Sequence, residues 1–294
     1  MTNFTTKQLE EKANSIRQDL LTMLETAGSG HSAGPLGLAD IFTALYFSVL
    51  KHDPKNTDWS ERDILILSNG HCTPIRYVTM AHAGYFPKAE LKTLRKFGSR
   101  LQGHPERTRL PGLETTSGPL GSGLSQASGM AKALQIDGEH HRWVYCVTSD
   151  GEHDEGNFWE AVLFAAKNRL GNLIAIVDRN NIQIDGPTED IMPLEDLRAK
   201  WEAFGWHVIE IDGHNIESVI DACSLGRAVS EQPTVIIAHT IPGKGVDYME
   251  YNYLWHGTPP GKSDVAGAPP KNQQLKEALH QLRTLGGKIK GEHE

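Results

Sequence analysis

Five short apolar runs constrain the fold of this 294-residue chain more than any other feature. Residues 64–67 (ILIL), 144–147 (VYCV), 173–177 (LIAIV) and 235–238 (VIIA) are continuously apolar instead of alternating. A strand reads that way when both faces are buried, as in a parallel sheet covered by helices. Residues 208–211 (VIEI) are more amphipathic and belong nearer an edge. Between the runs, residues 9–24, 38–50, 124–134, 157–168, 194–204 and 216–223 carry helical patterns. Strand and helix alternate, which predicts an α/β fold: one doubly wound, mostly parallel sheet with helices on both faces. Such sheets bind ligands at the carboxyl ends of their strands, so the loops after the apolar runs carry the functional reading.

Composition narrows the partners. The chain has 29 Lys and Arg against 37 Asp and Glu, a formal net charge of −8, and no basic stripe overrides that balance. Nucleic acid and anionic membrane surfaces are therefore not expected partners. The first residues lack an apolar signal core, and no apolar run approaches the roughly 20 residues of a membrane span, so a cytoplasmic location is expected. Cys72, Cys146 and Cys223 form no CxxC pair and read as buried thiols of a reducing compartment. Residues 248–270 are loop-like, 272–285 read as a last short helix, and 286–294 as a frayed end. This divides the chain into a main domain over residues 1–260 and an extension over 261–294.

Three groups of residues could carry chemistry. Asp150-Gly151 follows one apolar run and Asn180 follows the next, thirty residues on, the span of one strand-helix-strand unit. A right-handed crossover brings the two strand ends together, so the Asp150 carboxylate and the Asn180 amide oxygen can face one point. With the Ile182 carbonyl, these oxygens could form part of a Mg²⁺ or Ca²⁺ shell completed by phosphates or water. Either pair alone is more often an Asx turn; the joint spacing favours the metal. Gly-Pro-Leu-Gly occurs twice, at 34–37 and 118–121, each time leading into a helix whose N-terminus could receive a phosphate. Neither copy is a nicotinamide fingerprint or a Walker loop. Finally, His31, His71, His104 and His256 all sit beside glycine in loops, where imidazoles can bind phosphate and sugar hydroxyls or move protons. His140, His141 and His153 read as surface or turn residues, and Gly243-Lys244-Gly245, after the last strand, as a solvated turn ahead of another phosphate-side loop. Glu152, Asp154 and Glu155 read as helix-capping acids.

With these motifs in view, the chain resembles the N-terminal, diphosphate-binding half of the transketolase family. The matches come in family order: Gly30-His31 with Gly34-Pro35-Leu36-Gly37, Ser68-Asn69-Gly70-His71, Gly103-His104-Pro105-Glu106, Thr116-Ser117-Gly118-Pro119-Leu120-Gly121, Asp150-Gly151 with Asn180, and His256-Gly257. The resemblance implies thiamine diphosphate as cofactor, with Asp150, Asn180 and the Ile182 carbonyl holding magnesium, or calcium or manganese in its place. It implies that His71, Gly118, Pro119, Leu120 and Gly151 lie against the cofactor, and His256 near its diphosphate. His31, His104 and His256 would point at substrate hydroxyls, and Glu155 would meet a partner's carboxylates at an interface between chains. Ser149 replaces the first glycine of the usual Gly-Asp-Gly, and Ser32-Ala33 replaces a usual Pro-Gly. Arg76 also departs from the family pattern and reads as a structural ion pair ahead of a sign of an unusual anionic substrate.

In the family, the glutamate that activates the cofactor's aminopyrimidine ring lies on a second domain, and this sequence stops before it. The resemblance therefore implies a split enzyme: an N-terminal subunit, inactive alone, in an α2β2 heterotetramer with a separate C-terminal subunit. Together they would transfer a two-carbon ketol unit from a ketose phosphate to an aldose. Alternative readings are a subunit of a 2-oxoacid dehydrogenase or deoxyxylulose phosphate synthase type of enzyme, or a non-catalytic regulatory homologue. Gly103-His104-Pro105 and His256-Gly257 are transketolase-like and weigh against the first two.

Overall fold

A computed structural model of the chain describes residues 4–139 and 141–284. Each of the five apolar runs forms a strand: β1 (Ile64–Leu67), β2 (Val144–Ser149), β3 (Leu173–Arg179), β4 (His207–Asp212) and β5 (Thr234–His239). They make one sheet in the order β1-β2-β3-β5-β4, with every neighbouring pair parallel. The amphipathic run, β4, lies at an edge as its pattern predicts. β1 lies at the other edge yet is apolar throughout, because its two faces are still covered.

Helices supply that cover. They are α1 (Thr6–Ala27), α2 (Ala33–Gly37), α3 (Ala39–Ala44), α4 (Thr73–Ala83), α5 (Ser122–Ile136), α6 (Gly156–Lys167), α7 (Thr188–Ile191), α8 (Leu197–Ala203), α9 (Ile216–Ala228) and α10 (Lys271–Thr284). Alternate residues of each apolar strand enter different cores. Val144 and Cys146 of β2, with Leu173, Ala175 and Val177 of β3, pack with Leu124 of α5, Phe158 of α6 and Trp201 of α8. Tyr145, Val147, Ile174 and Ile176 pack on the opposite face with residues of α1, α3, α4 and α9. A run with no alternation thus serves two cores at once.

Local sequence explains several helix ends. The Thr5 hydroxyl accepts the Gln8 N–H while the Gln8 side chain accepts the Thr5 N–H, a reciprocal cap that starts α1, and Gly28 closes it at φ 67°. The pattern over 38–50 resolves into α3 followed by a π-helical turn, Leu45–Val49. Three helices escaped the sequence reading: the short α2 and α7, and the longer α4. Residues 73–81 are all buried, so it has no polar face to generate a period, although Pro74 is well placed in its first turn. α10 packs against α1, where Asn14 donates to the Leu282 carbonyl at 2.9 Å. His140 and the end segment 286–294 lie outside the described residues. Among the described residues, no helix is long and apolar enough to cross a membrane.

Candidate active site

Ser149 of β2 stands in register with Asp178 of β3, so the chain leaves both strands at the same level. Asp150 and the turn after β3 consequently meet. The Asp150 Oδ2 accepts the N–H of Asn181 at 2.7 Å, and its Oδ1 accepts the N–H of Gly151 at 2.8 Å. Asn181 takes φ 63°, a left-handed conformation that asparagine tolerates, and this turns its N–H toward Asp150. Asn180 is fixed from behind: its Nδ2 donates to Asp178 Oδ2 at 2.7 Å, and Thr240 donates to Asp178 Oδ1 at 2.5 Å. Its amide oxygen accepts the Ile182 N–H at 3.1 Å. Asp150, Asp178, Asn180 and Ile182 are all buried.

Burial raises the Asp150 carboxyl to about 6, even though Arg179 and the N–H groups of Asn181 and Gly151 oppose the shift. Asp178 is pushed up to about 7 by burial and by the Asp150 charge, against the donors Thr240 and Asn180. Arg179 stands 3.4 Å from Asp150, but its guanidinium also binds Thr188, Glu189 and Glu195, so it neutralises Asp150 only partly. A buried, under-neutralised carboxylate beside an amide oxygen held by its own neighbour is a donor set suited to a hard divalent cation.

The flanking loops are tied together by Glu152. One of its oxygens accepts from Ser68 at 2.5 Å and from the Gly121 N–H at 2.8 Å, and the other accepts the Ser149 N–H at 2.9 Å. The capping reading of the acidic run holds for Glu152, but on the 3₁₀ turn Asp150–Asp154 rather than on α6. Glu155 is exposed at the start of α6. The two Gly-Pro-Leu-Gly copies differ. The first lies within α2 and is wholly buried, so it offers no anion-facing loop, contrary to its sequence reading. The second remains a loop: a Cβ at Gly118 would meet open space, and Pro119 and Leu120 are exposed. The Gly121 N–H, however, is already taken by Glu152.

Three of the four glycine-flanked histidines form one cluster. Ring centroids lie 4.9 Å apart for His31 and His71, 5.1 Å for His71 and His256, and 5.4 Å for His31 and His256. Burial, then the neighbouring His256, Arg95 and His104, lowers His31 to about 3. His71 is held well below its ordinary value by burial and the same imidazoles, His256 by burial, and His104 by burial and Arg95. All four are neutral near pH 7, so each ring offers one donor and one acceptor. His104 is more exposed, at the rim. Arg95, which the sequence reading passed over, lies against Gly103 and Ser29 and lowers two of these imidazoles. Its φ of 59° is a backbone signal invisible in the sequence.

Other expectations are corrected. Arg76 makes no ion pair among the described residues: it is 1% exposed and donates to the Leu65 and Gly112 carbonyls at 2.9 and 3.4 Å. His153 is buried among Phe158, Trp159 and Trp201, and accepts from the Trp201 indole at 3.1 Å. Lys244 is likewise buried rather than solvated.

Thiamine diphosphate and a divalent ion fit these surroundings. Both side-chain polar atoms of Asn69, which is 0% exposed, and the Nδ1 atoms of His31 and His256 are buried without a hydrogen-bond partner. Such orphaned groups beside the strand ends call for a polar ligand. A Cβ on Gly70 would come within 3.0 Å of the Gly118 N, so the Asn69-Gly70-His71 turn can close onto the second Gly-Pro loop only as glycine.

Comparison with known proteins supplies the family. The profile for the transketolase thiamine diphosphate-binding domain matches residues 9–274. A 6-deoxy-6-sulfo-D-fructose transketolase subunit, SqwG, from Clostridium sp. (strain MSTE9) is 44% identical over 84% of this chain and 90% of its own. One of the subunits of an apulose-4-phosphate transketolase, from Phocaeicola vulgatus, is 38% identical over 97% of both chains. A transketolase variant from Pichia stipitis in complex with fructose 6-phosphate superposes with a TM-score of 0.83 at 30% identity. That match covers 96% of this chain but 45% of the other, so the chain spans just under half of the solved enzyme. The chain therefore belongs to the transketolase family and is its thiamine diphosphate-binding part, the part that relatives of similar length carry as a named subunit.

Proposed function

We propose that this chain is the N-terminal subunit of a split transketolase, which transfers a two-carbon ketol unit from a ketose phosphate to an aldose with thiamine diphosphate and Mg²⁺. The observation that carries the proposal is the meeting of Asp150 with the Asn180-Asn181 turn beneath a cluster of neutral histidines. Asp150, Asn180 and the Ile182 carbonyl hold the metal, which in turn holds the diphosphate. Asp178 and Thr240 fix the Asn180 amide. His71, Gly151 and the Gly118-Pro119-Leu120 loop line the cofactor's bed, with His256 near the diphosphate. His31, His104 and His256 orient the sugar, because a neutral imidazole can both donate to and accept from a hydroxyl. When bound, thiamine diphosphate supplies the carbon nucleophile and stores the electron pair.

The relatives named as subunits support a separate partner chain. That partner would carry the glutamate that activates the cofactor, in an α2β2 assembly in the cytoplasm, with Glu155 at the interface. The main domain over residues 1–260 would hold the cofactor, and 261–294 would be an extension. The test is a reconstitution. The chain mixed with its C-terminal partner should convert ketose donors and leave pyruvate untouched, whereas either chain alone should be inactive. In calorimetry the Asp150→Ala chain should lose Mg²⁺-dependent binding of thiamine diphosphate. Undiminished binding by that variant, or turnover of pyruvate alone, would refute the proposal.

A further inference from the structure

A cleft of about 570 Å³ opens beside the C-terminal end of α4, away from the cluster of His31, His71 and His256. α4 begins two residues after His71 and its last residue, Ala83, borders the cleft, so the length of that helix, about 16 Å, separates the two places. The wall is formed by the π-helical turn Leu45–Val49, in which the Leu50 N–H reaches back to the Leu45 carbonyl at 2.8 Å. Such turns are rare and gather at functional places. Four aromatic side chains line the cleft: Phe4, Tyr46, Phe47 and Trp59.

Two ammonium groups stand among these rings. The Lys12 Nζ lies 4.5 Å from the Phe47 centroid and 5.2 Å from that of Phe4, and the Lys51 Nζ lies 5.1 Å from the Trp59 centroid. Neither forms an ion pair among the described residues, although Glu61 and Asp63 lie near enough to feel the Lys51 charge. Asp19, on the same helix as Lys12, is engaged by His82 and Lys88 instead. Burial lowers the Lys12 pKa, and Lys88 adds to the effect, so an anion beside it would relieve an existing cost. Cation–π contacts thus hold both charges inside the cleft instead of letting them extend into water.

We infer that this cleft is a second ligand site, which takes a small organic anion built on a planar ring, of the class of a nucleoside monophosphate. Two ammonium groups, neither in an ion pair among the described residues and Lys12 with no carboxylate acting on it, select negative charge. The aromatic walls select a flat apolar body, and the volume falls in the range of small-molecule sites, about 300–1,000 Å³. The cleft lies outside the cofactor bed and shares no residue with it.

The experiment is calorimetric titration of the full chain with AMP, adenosine and inorganic phosphate. AMP is expected to bind at least tenfold more tightly than either fragment. Lys12→Met and Lys51→Met, which keep the stems packed on the rings, should each weaken AMP at least tenfold, with circular dichroism unchanged. Asp150→Ala should leave AMP binding intact. Four results overturn the inference: no heat at millimolar AMP; phosphate binding as tightly as AMP; lysine variants that bind AMP like the parent; or loss of AMP binding in Asp150→Ala, which would put the nucleotide at the strand ends. Because the lysine variants leave the metal ligands untouched, failure here is distinguishable from failure of the ketol-transfer reading.

Discussion

Glu152 shows how much of the site rests on one buried carboxylate. Its two oxygens satisfy the Ser68 hydroxyl and the N–H groups of Gly121 and Ser149, which belong to two different loops and the end of β2. Removing it leaves those donors buried and unpaired, so Glu152→Ala should cost about 2–4 kcal/mol in urea unfolding, well above a surface substitution. Asp178 acts at one remove, by holding the Asn180 amide. Asp178→Asn would set an amide against the Asn180 Nδ2, and Mg²⁺-dependent cofactor affinity should fall about 10–100-fold in calorimetry. The residues proposed to hold the metal were legible in the sequence because a strand-helix-strand spacing fixes where they emerge. Asp178 and Glu152 gave no such signal as anchors: an acid at a strand end and an acid in a turn look the same whether they hold a neighbour or face water.

Among the elements, a buried ion pair ties α1 to α3 and to the turn after β4. Arg17 grips Asp40 at 2.6 and 3.0 Å, and His214 Nδ1 meets Asp40 Oδ2 at 2.8 Å. The Ile241 N–H donates to the other ring nitrogen at 2.7 Å, which makes Nδ1 of a neutral His214 the donor to Asp40. Burial would raise the Asp40 pKa, but the Arg17 charge and the His214 bond outweigh it and hold the carboxyl below its ordinary range. The contribution is therefore present above the unfolded value near 4 and lost as pH falls. Asp40→Asn leaves Arg17 buried without its counter-charge and should cost about 3–5 kcal/mol in denaturant unfolding at pH 7. The sequence patterns located nearly every element, since amphipathic faces repeat with a period. They missed the short α2 and α7, and also α4, where burial on all sides erased the period.

For the whole molecule, the histidine cluster makes stability depend on pH. His31 titrates at about 3 when folded against an unfolded value near 6.5, and His71, His104 and His256 are shifted the same way. Below about 6.5 the unfolded chain takes up protons that the folded chain refuses, so stability is full above that pH and declines below it. Each such group contributes at most about 1.4 kcal/mol per pH unit. Asp150 and Asp178, whose carboxyls are raised to about 6 and 7, work in the opposite sense over the same range, so the check is a comparison: between pH 7 and 5 the urea midpoint of His31→Gln should fall less, or rise more, than that of the parent. Identical pH profiles for the parent and His31→Gln would contradict the neutral cluster.

The layered α/β architecture, and the order in which its loops reach the strand ends, were written in the amino-acid sequence. Both follow from local rules: continuously apolar runs must be buried on both faces, and a crossover joins neighbouring parallel strands. The use each loop makes of its atoms was settled only by packing in three dimensions. The same Gly-Pro-Leu-Gly tetrapeptide is a buried helix at 34–37 and an open loop at 118–121, because the first is enclosed by its surroundings and the second is tethered by Glu152. His153, read as a surface residue, enters an aromatic core, and Arg76 pairs with carbonyls in place of a carboxylate. A polar side chain's role depends on which distant groups arrive beside it, and that is set by contacts between elements far apart in the chain.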